Sequence, residues 1–306
     1  MSRDRESKRS GSGPQGKPDG GVATPPLSPG LWLVATPIGN AADITLRALD
    51  VLARADVLAA EDTRRTRQLL DIHGVSLNAR KMISYHDRNG AQRRPQILAL
   101  LAEGKSVAYA SDAGTPLIAD PGYRLAAEVR DAGYEVHAAP GASAVLTALS
   151  LSGLPTDRFL FAGFLPPRQS ARRKALSELA AVPATLVFYE SPRRVAATLG
   201  DMAETLGADR DVALTRELTK KFEEVRRGTL GTLAAELAGQ DAPRGEIVLV
   251  VGGPSGTREN DAEDLDHLLS EALQTLGTKD AAREVATRTG LPRREVYARA
   301  LVLSGR

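Results

Sequence analysis

The sequence predicts an α/β fold of two lobes followed by a small helical module. From residue 31 to residue 251, short apolar runs alternate with segments of helical periodicity. This alternation is typical of a sheet flanked by helices. Turns rich in glycine and proline separate the elements, and after residue 263 only helical periodicity remains. The predicted organisation is a tail at 1–30, lobes at 31–152 and 153–252, and a helical module at 264–306.

The first lobe contains five apolar runs that predict buried strands, at 31–35, 56–60, 82–84, 105–110 and 134–138. Helical patterns follow the strands, beginning at residue 44 and spanning 61–70, 95–102 and 122–132. Asp43 is placed to cap the first of these helices. Pro95 suits the first turn of the third. A repeating strand–helix unit of this kind predicts a parallel sheet.

The second lobe repeats the alternation with a different set of runs. Strands are predicted at 159–162, 184–189, 211–215 and 246–251, with helices at 170–181, 193–206 and 229–238. A polar stretch at 252–263 predicts a linker to the C-terminal module. Residues 1–30 are dominated by glycine, proline, serine and charge. Because such a segment buries too little apolar surface to offset its ordering entropy, it predicts a disordered tail.

The composition narrows the class of protein. The chain has 306 residues, no cysteine and a net charge of +2, so it has neither a disulfide framework nor a thiolate metal site. The four histidines are not spaced like zinc ligands. The apolar runs are far shorter than the ~20 residues of a membrane span, and the basic start leads into no signal-peptide core. We therefore expect a cytoplasmic protein without a metal, whose nucleic-acid surface, if any, is a local patch.

Three loops at the carboxyl ends of predicted strands carry the first functional signal. They span 36–40, 111–116 and 140–144, and they are rich in glycine, proline and small polar residues. Ligands of open α/β sheets bind at this edge. Any one loop could be an ordinary turn, but three at one edge predict a site. Ala99 stands where a P-loop needs its first glycine, and the charge of Asp112 suits a cationic ligand or a ribose hydroxyl better than a polyphosphate.

Nine short segments share a further property, which is their likeness to one known family. They are 35–40 (ATPIGN), 60–64 (AEDTR), 84–86 (SYH), 111–116 (SDAGTP), 120–122 (DPG), 140–141 (PG), 188–192 (FYESP), 216–220 (RELTK) and 245–246 (GE). In this order they resemble the tetrapyrrole-methylase superfamily of S-adenosylmethionine enzymes. Within it they look like the branch that methylates the ribose 2′-hydroxyl of a cytidine in 16S ribosomal RNA. The resemblance covers about residues 31–251 and extends to the C-terminal module; Arg193 departs from the histidine of many relatives.

The resemblance implies S-adenosylmethionine in a cleft between the two lobes, and a homodimer. Carried over by motif, the first lobe would bind the cofactor through Thr36, Pro37, Ile38, Gly39, Asn40, Asp112, Ala113, Gly114, Ser143 and Ala144. The second lobe would add backbone groups around Tyr189, Leu214 and Gly245. The implied partner is the small ribosomal subunit with its 16S RNA, and no membrane is implied.

Several side chains could orient or deprotonate a ribose hydroxyl. The candidates are Glu61, Asp62, His86, Glu190, Glu217 and Lys220. We assign the catalytic role to Asp62, Glu217 and Lys220, which match motifs near the implied acceptor. Two other interpretations stay open: acids at 61–62 could simply stabilise a helix terminus, and Glu217 with Lys220 could form an exposed ion pair. The sequence does not identify the general base.

The C-terminal module carries the strongest basic patch. Residues 279–306 contain seven basic and three acidic side chains, a net charge of +4. Two helical segments around Gly290 predict a helix-turn-helix, and the low aromatic content of 4% favours phosphate contacts over base stacking. The alternative is a module that only buttresses the dimer or the second lobe. Two other functions also stay open, a small-molecule tetrapyrrole-type methylase and a non-catalytic ribosome-assembly factor that binds RNA.

Overall fold

A computed structural model of the chain describes residues 26–118, 122–254, 257–289 and 293–304. These residues form two five-stranded sheets, one in each lobe, followed by three C-terminal helices. The predicted α/β class and its two-lobe arrangement are confirmed. What matters for function is how the loops of the two sheets face each other.

The first lobe is built on a parallel sheet. Its strands are β1 (Gly30–Val34), β2 (Val57–Ala60), β3 (Lys81–Ser84), β4 (Ser106–Ala110) and β5 (Val136–Ala139). They lie in the order β3-β2-β4-β1-β5, and every pairing is parallel. Parallel sheets are covered on both faces, and all five residues of the central strand β4 are buried. Because the strands share one direction, the loops that follow them gather at one edge.

Helices cover both faces of this sheet. They are α1 (Leu46–Arg54), α2 (Thr63–Ile72), α3 (Gly90–Ala102) and α4 (Tyr123–Asp131), and a further helix, α5 (Ala144–Ser152), follows β5. The core on one face contains Leu52 of α1 and Leu70 of α2. The core on the other face contains Ile97 of α3 and Leu125 of α4. The helical periodicity of the sequence thus buries one stripe of each helix against the strands.

The second lobe has a mixed sheet. Its strands are β6 (Phe159–Phe164), β7 (Thr185–Glu190), β8 (Asp211–Arg216), β9 (Glu224–Thr229) and β10 (Ile247–Val251), and its helices are α6 (Gln169–Leu179), α7 (Val195–Leu206) and α8 (Leu230–Leu237). The order is β6-β7-β10-β8-β9. Only β6 and β7 pair in parallel, and the other three pairings are antiparallel. The sequence did not predict strand β9, because Val225 is its one large apolar residue. A strand at the edge of a sheet buries little surface and therefore needs few apolar residues.

Helix α5 joins the two lobes. It follows the last strand of the first sheet, yet its Val145, Ala148 and Leu149 pack with Val187 and Val250 of the second sheet. The shared cluster is distinct from the cores of either lobe. The predicted boundary at 152/153 therefore assigns α5 to the first lobe by chain position, although its apolar face belongs to the second.

The C-terminal helices pack on one another. They are α9 (Thr257–Leu273), α10 (Thr278–Thr289) and α11 (Arg293–Leu303), and their common core contains Leu269, Val285 and Val296. The predicted linker at 252–263 is too long, because α9 begins at Thr257. None of the described helices is long and apolar enough to cross a membrane.

The predicted tail at 1–30 also ends too late. Leu27 packs against the first-lobe core, and the carbonyl of Ser28 accepts a hydrogen bond of 3.0 Å from Nε1 of Trp32. Residue 30 already belongs to β1. The rest of the predicted tail, residues 1–25, lies outside the described residues. Packed structure therefore begins before the position at which the composition changes.

Two helix starts differ from the predictions. Thr45, and not Asp43, caps α1, since its side chain accepts from the backbone N–H of Ala48. Asp43 lies in a short 3-10 turn before the helix. Helix α3 begins at Gly90, so Pro95 lies inside it and not in its first turn. In both places the hydrophobic periodicity located the helix but not its first residue.

Candidate functional site between the lobes

A cleft of about 430 Å³ lies between the two lobes. The first lobe lines it with the loops that follow β1, β4 and β5, and the second lobe with residues from the ends of β6 and β7 and from the start of β10. The first-lobe loops are bonded to one another: Thr36 and Gly114 exchange two backbone hydrogen bonds of 3.0 Å. Oγ1 of Thr115 donates to the carbonyl of Ala142 at 3.1 Å. The loops therefore form one connected wall.

Glycine shapes this wall at Gly114. Its φ is +79°, a conformation that favours glycine, and a Cβ atom there would lie 3.3 Å from Cγ2 of Ile38. Gly141 is equally constrained by space, since its Cβ would lie 2.9 Å from Cβ of Ala35. Because these two positions lack a side chain, the loops after β4 and β5 pack closely against the loop after β1. The space on the side of the second lobe stays open as the cleft.

Carboxylates dominate the charge at the cleft. Among the described residues the lining includes Glu61, Asp112, Glu190 and Glu246, with Arg65 as its one cation. Behind the lining, Lys220 pairs with Glu246 and Arg194 with Glu190. Oε2 of Glu61 accepts from the backbone N–H of Asp112 at 3.3 Å, so these two acids are fixed relative to each other. Nη1 of Arg65 lies 3.6 Å from Oδ2 of Asp112. An acid-rich cleft of this kind favours a cationic ligand.

The second lobe contributes an aromatic and apolar surface. Tyr189 contacts Phe161 and Phe164 edge-on, with ring centroids 4.8 and 5.5 Å apart. Burial, with a smaller effect of the nearby Glu246 carboxylate, raises the pKa of Tyr189, so its hydroxyl stays protonated at neutral pH. Phe164 and Tyr189 line the cleft together with Val248. This side of the cleft suits a flat, weakly polar ring.

Glu190 is a buried carboxylate at the end of β7. Oε1 accepts from the backbone N–H of Ser191 at 2.6 Å, and Oε2 accepts from Oγ1 of Thr198 at 2.7 Å and from Nη2 of Arg194 at 3.0 Å. The guanidinium of Arg194 also donates to the carbonyl of Leu165. These bonds hold the chain turn that borders the cleft, and they account for the acidic residue inside the protein.

The lobes meet at Gly39 and Lys220. A Cβ atom at Gly39 would lie 2.5 Å from Cγ of Lys220, and the backbone N–H of Asn40 donates to Oγ1 of Thr219 at 3.0 Å. Thr219 has a φ of +65°, so the loop turns sharply at this contact. Close approach of the two loops requires a residue without a side chain at position 39.

Lys220 is held by two carboxylates. Its Nζ donates to Oε1 of Glu217 at 2.8 Å and to Oε2 of Glu246 at 2.9 Å. Burial lowers the pKa of Lys220, but the hydrogen bonds that its ammonium donates to both glutamates outweigh this effect, and the pKa is raised. The hydrogen bond from Lys220 lowers the pKa of Glu217 against a smaller effect of burial. Gly245 completes the arrangement, because any side chain there would collide with Glu217.

Asp62 lies at the start of α2 and is strongly acidic. Its Oδ1 accepts from the backbone N–H and from Nε of Arg64, at 2.9 and 3.2 Å. The hydrogen bonds from Arg64 lower the pKa of Asp62 to about 2. The backbone N–H of Asp62 donates to Oδ1 of Asp112 at 2.8 Å. Asp62 thus caps the helix and also orients a carboxylate of the cleft.

A second cavity of about 220 Å³, which we name the α2 cavity, adjoins the cleft. It lies between the loop after β1 and helix α2, and it shares Arg65 and Asp112 with the cleft. Thr36, Pro37 and Gly39 line the α2 cavity. The loop after β1 therefore has a different neighbour on each side, with Ile38 facing the cleft.

The predicted cofactor residues divide among these places. Those that line the cleft are Ile38, Asp112, Ala113, Gly114, Ser143, Ala144, Tyr189 and Gly245. Thr36, Pro37 and Gly39 line the α2 cavity, and Asn40 caps the 3-10 turn. The side chain of Leu214 is buried in the second-lobe core. Residues 119–121, which include most of the DPG segment, lie outside the described residues.

Some lining residues were not identified from the sequence. Phe164 lines the cleft because β6 runs two residues past its predicted end, and a bulge at Gly163, with a φ of +66°, lies just before it. The sequence predicted Glu246 only as part of the segment at 245–246, and Arg65 only as part of the helix at 61–70. His86, by contrast, is a loop residue whose backbone N–H donates to Oδ1 of Asn89.

Sequence comparison assigns the chain to a known family of proteins. The profile of the Tetrapyrrole (Corrin/Porphyrin) Methylases matches residues 30–234, so the chain belongs to the tetrapyrrole methylase family. A second profile, the RsmI C-terminal HTH domain, matches residues 259–304. The resemblance seen in the sequence motifs is thereby confirmed.

The curated relatives belong to one branch of that family. A protein of Mesorhizobium japonicum named ribosomal RNA small subunit methyltransferase I is 52% identical over 91% of this chain and 93% of its own length. The protein of the same name from Escherichia coli O157:H7 is 45% identical, over 90% and 96%. Over these spans both lobes and the C-terminal helices are shared.

Solved structures agree with the fold. Uroporphyrin-III-C-methyltransferase from Thermus thermophilus is 26% identical, with a TM-score of 0.52 over 75% of this chain and 97% of that one. A conserved hypothetical protein from Aeropyrum pernix K1 is 20% identical, with a TM-score of 0.59 over 90% and 96%. At this identity the second likeness concerns the fold alone.

Proposed function

We propose that the chain transfers a methyl group from S-adenosylmethionine to the ribose 2′-hydroxyl of a cytidine in 16S ribosomal RNA of the small subunit. The observation that carries the proposal is the combination of an acid-lined cleft between two methylase lobes with a C-terminal helical module. The relatives that share both parts are named small-subunit ribosomal RNA methyltransferases.

The cleft fits the cofactor in charge, shape and size. S-adenosylmethionine carries a sulfonium and an ammonium, and the carboxylates of Glu61, Asp112 and Glu246 supply the opposite charge. The apolar surface at Phe164 and Tyr189 suits an adenine ring. A volume of about 430 Å³ lies within the range of cofactor sites. The backbone around Gly114, where a Cβ would crowd Ile38, leaves room for the ligand.

The bound cofactor supplies an electrophilic methyl group, and the chain must orient the acceptor oxygen toward it. We assign this acceptor side to Asp62, Glu217 and Lys220. The pKa values of both acids are lowered, whereas an efficient general base has a pKa near the working pH. Their proposed role is therefore to accept hydrogen bonds and fix positions. The Lys220 ammonium, bonded to Glu217 and Glu246, fixes these two carboxylates at the lobe junction.

The C-terminal helices are assigned to RNA binding. Arg293 and Arg294 are exposed at the start of α11. Arg299, in contrast, is paired with Asp266 of α9 at 2.7 Å through Nε. The three arginines of α11 thus divide into a pair that is open to phosphates and one that ties α9 to α11. Phosphate contacts of the first kind give affinity without base specificity.

One assay tests the proposal against its alternatives. Labelled S-adenosylmethionine is offered with small subunits lacking the modification, with naked 16S RNA, or with a tetrapyrrole precursor. We expect label in the subunit RNA, at a ribose. Transfer to the tetrapyrrole would support a small-molecule methylase, and binding to the subunit without transfer would support an assembly factor.

We further propose that the chain acts as a homodimer in the cytoplasm, where its RNA substrate is assembled. The dimer is carried over from the family resemblance. Large apolar side chains on the described surface, such as Leu46 with 86% exposure, offer contact area for a second copy. Light scattering of the purified protein measures the mass directly, and a monomer at working concentrations would contradict the dimer.

A further inference from the structure

The cleft and the α2 cavity meet at two residues that line both spaces. Arg65 and Asp112 line both spaces, and their side chains approach to 3.6 Å. Arg65 nevertheless keeps a side-chain exposure of 65%. A molecule in the α2 cavity would therefore border the cleft at Arg65 and Asp112, whereas the loop after β1 separates the two spaces elsewhere.

The α2 cavity has an apolar wall and a polar edge. Pro37, Leu69 and Ile72 form the apolar part of its lining. Arg65 and Gln68 of α2 add polar groups that can donate hydrogen bonds. This is the composition expected where a flat heterocycle lies against apolar groups and its edge is read by a few polar ones.

The deep part of the α2 cavity offers acceptors. Oγ1 of Thr36 donates to the carbonyl of Ser111 at 3.1 Å, and Oγ of Ser111 donates to the carbonyl of Gly114 at 2.8 Å. Because both hydroxyl hydrogens are already used, the two oxygens can only accept further bonds. The carboxylate of Asp112 is an acceptor as well. A base with an exocyclic amino group matches such a surface, while a keto group in the same position would be repelled.

We propose that the α2 cavity receives the base of the acceptor nucleotide, with its amino edge toward Thr36, Ser111 and Asp112. The ribose then lies at the junction formed by Arg65 and Asp112, beside the methyl donor in the cleft. The inference rests on the function proposed above and gives the cytidine a binding place. Single-stranded or splayed RNA is required, since a stacked base cannot enter a cavity of this kind.

The size and charge of the α2 cavity favour a base over other parts of the RNA. Arg65 is its single basic lining residue among those described, whereas a run of phosphates needs several cations. Its volume of about 220 Å³ is half that of the cleft, so it suits one ring and not an extended strand. The apolar wall also offers no hydrogen bond to a phosphate, which is best bound by charged and polar donors.

Two side chains that line the α2 cavity but not the cleft provide the test. Gln68→Ala removes a polar edge group, and Ile72→Glu places a charge on the apolar wall. Arg67→Ala and Arg67→Glu on the same helix are matched controls, because Arg67 is exposed and does not line the cavity. Turnover is measured with small subunits lacking the modification, and S-adenosylmethionine affinity by calorimetry.

We expect Gln68→Ala and Ile72→Glu to lower kcat/KM for the subunit by about 10- to 100-fold, with cofactor affinity unchanged. The controls should stay near wild type. Equal losses in test and control variants, a loss of cofactor affinity, or a change of oligomeric state in Ile72→Glu would each overturn the proposal. If the wild-type protein itself methylates no subunit RNA, the proposed function fails first, so the two failures are distinguishable.

A photo-crosslinking amino acid gives an independent readout. Placed at position 68, it should react with the nucleotide that the wild-type enzyme methylates, as located by mass spectrometry of the RNA, or with its direct neighbour. Placed at position 67, it should not. Subunits carrying uridine at that nucleotide should be methylated at least about tenfold more slowly, because the acceptor-rich surface rejects the keto group. Crosslinking from position 68 only to distant RNA would overturn the assignment.

Discussion

Gly114 shows how one residue determines what the cleft can hold. Its φ of +79° strains any other residue, and a Cβ atom there would crowd Ile38 at 3.3 Å. We predict that Gly114→Leu abolishes the rise in melting temperature that S-adenosylmethionine causes by binding the native state. Gly104→Leu is the matched control, because Gly104 has a φ of +74° but open space around it. Both variants carry the same backbone strain, so an equal ligand-induced shift in the two would remove loop 111–116 from the site.

Lys220 is the residue on which the proposed acceptor side depends most. Its raised pKa keeps the ammonium charged throughout the neutral range. We predict that Lys220→Met lowers turnover on the small subunit by about 10- to 100-fold and leaves the affinity for S-adenosylmethionine nearly unchanged. Lys81→Met, at the amino end of an edge strand, is the control. If single-turnover rates of the two variants agree, Lys220 has no part in the reaction.

Between elements, the contact of α6 with α7 depends on one buried acid. Asp201 of α7 accepts hydrogen bonds of 2.9 Å from Gln169, 2.7 Å from Arg172 and 2.7 Å from Arg173. Burial raises the pKa of Asp201, but these donors outweigh it and the pKa is lowered. The carboxylate therefore stabilises the fold above its ordinary pKa of about 3.9, and this contribution is lost as the pH falls through the lower, folded-state value.

We predict that Asp201→Ala lowers the free energy of unfolding by about 3–5 kcal/mol at neutral pH, because it leaves the buried Arg172 without its carboxylate. Glu204→Ala removes only an exposed partner of Arg173 and should cost less than about 1 kcal/mol. Urea titrations at pH 7 and pH 3 measure both. The gap between Asp201→Ala and the wild-type protein should narrow at the lower pH, and a constant gap would contradict the electrostatic explanation.

Elements that are buried on both faces can be predicted from the sequence, whereas edge elements and loop packing cannot. Strands buried on both faces, such as β4, appear in the sequence as apolar runs. The position of each run also gives the position of the loop that follows the strand. Strand β9 is not, since an edge strand with the sequence EVRRGT has no apolar pattern to detect. The cleft residues in the loops after β1, β4 and β5 were predictable for the same reason. Phe164 and the α2 cavity were not, because they depend on a bulge and on how a loop packs against a helix.

At the scale of the whole molecule, the C-terminal helices should add affinity without touching the cofactor. We predict that replacing both Arg293 and Arg294 with alanine weakens binding to the small subunit and reduces the salt dependence of that binding, by up to about 0.7–0.9 in slope per lost phosphate contact. Arg299→Ala should instead loosen the α9–α11 contact and lower the melting temperature. An unaltered salt slope in the double variant would favour a module that only supports the rest of the protein.

The shared helix α5 has a consequence for how the chain is made. The apolar face of α5 is complete once residue 152 has been synthesised, but the strand β10 that it packs on ends at Val251. Translation proceeds at about 5–20 residues per second, so α5 waits roughly 5–20 s for its partner while the first sheet can already form. During that interval the first lobe is folded and exposes the apolar face of α5 to solvent. A ribosome stalled between these two points should therefore recruit chaperones, and shortening the wait by faster codons after residue 152 should improve the yield of folded protein.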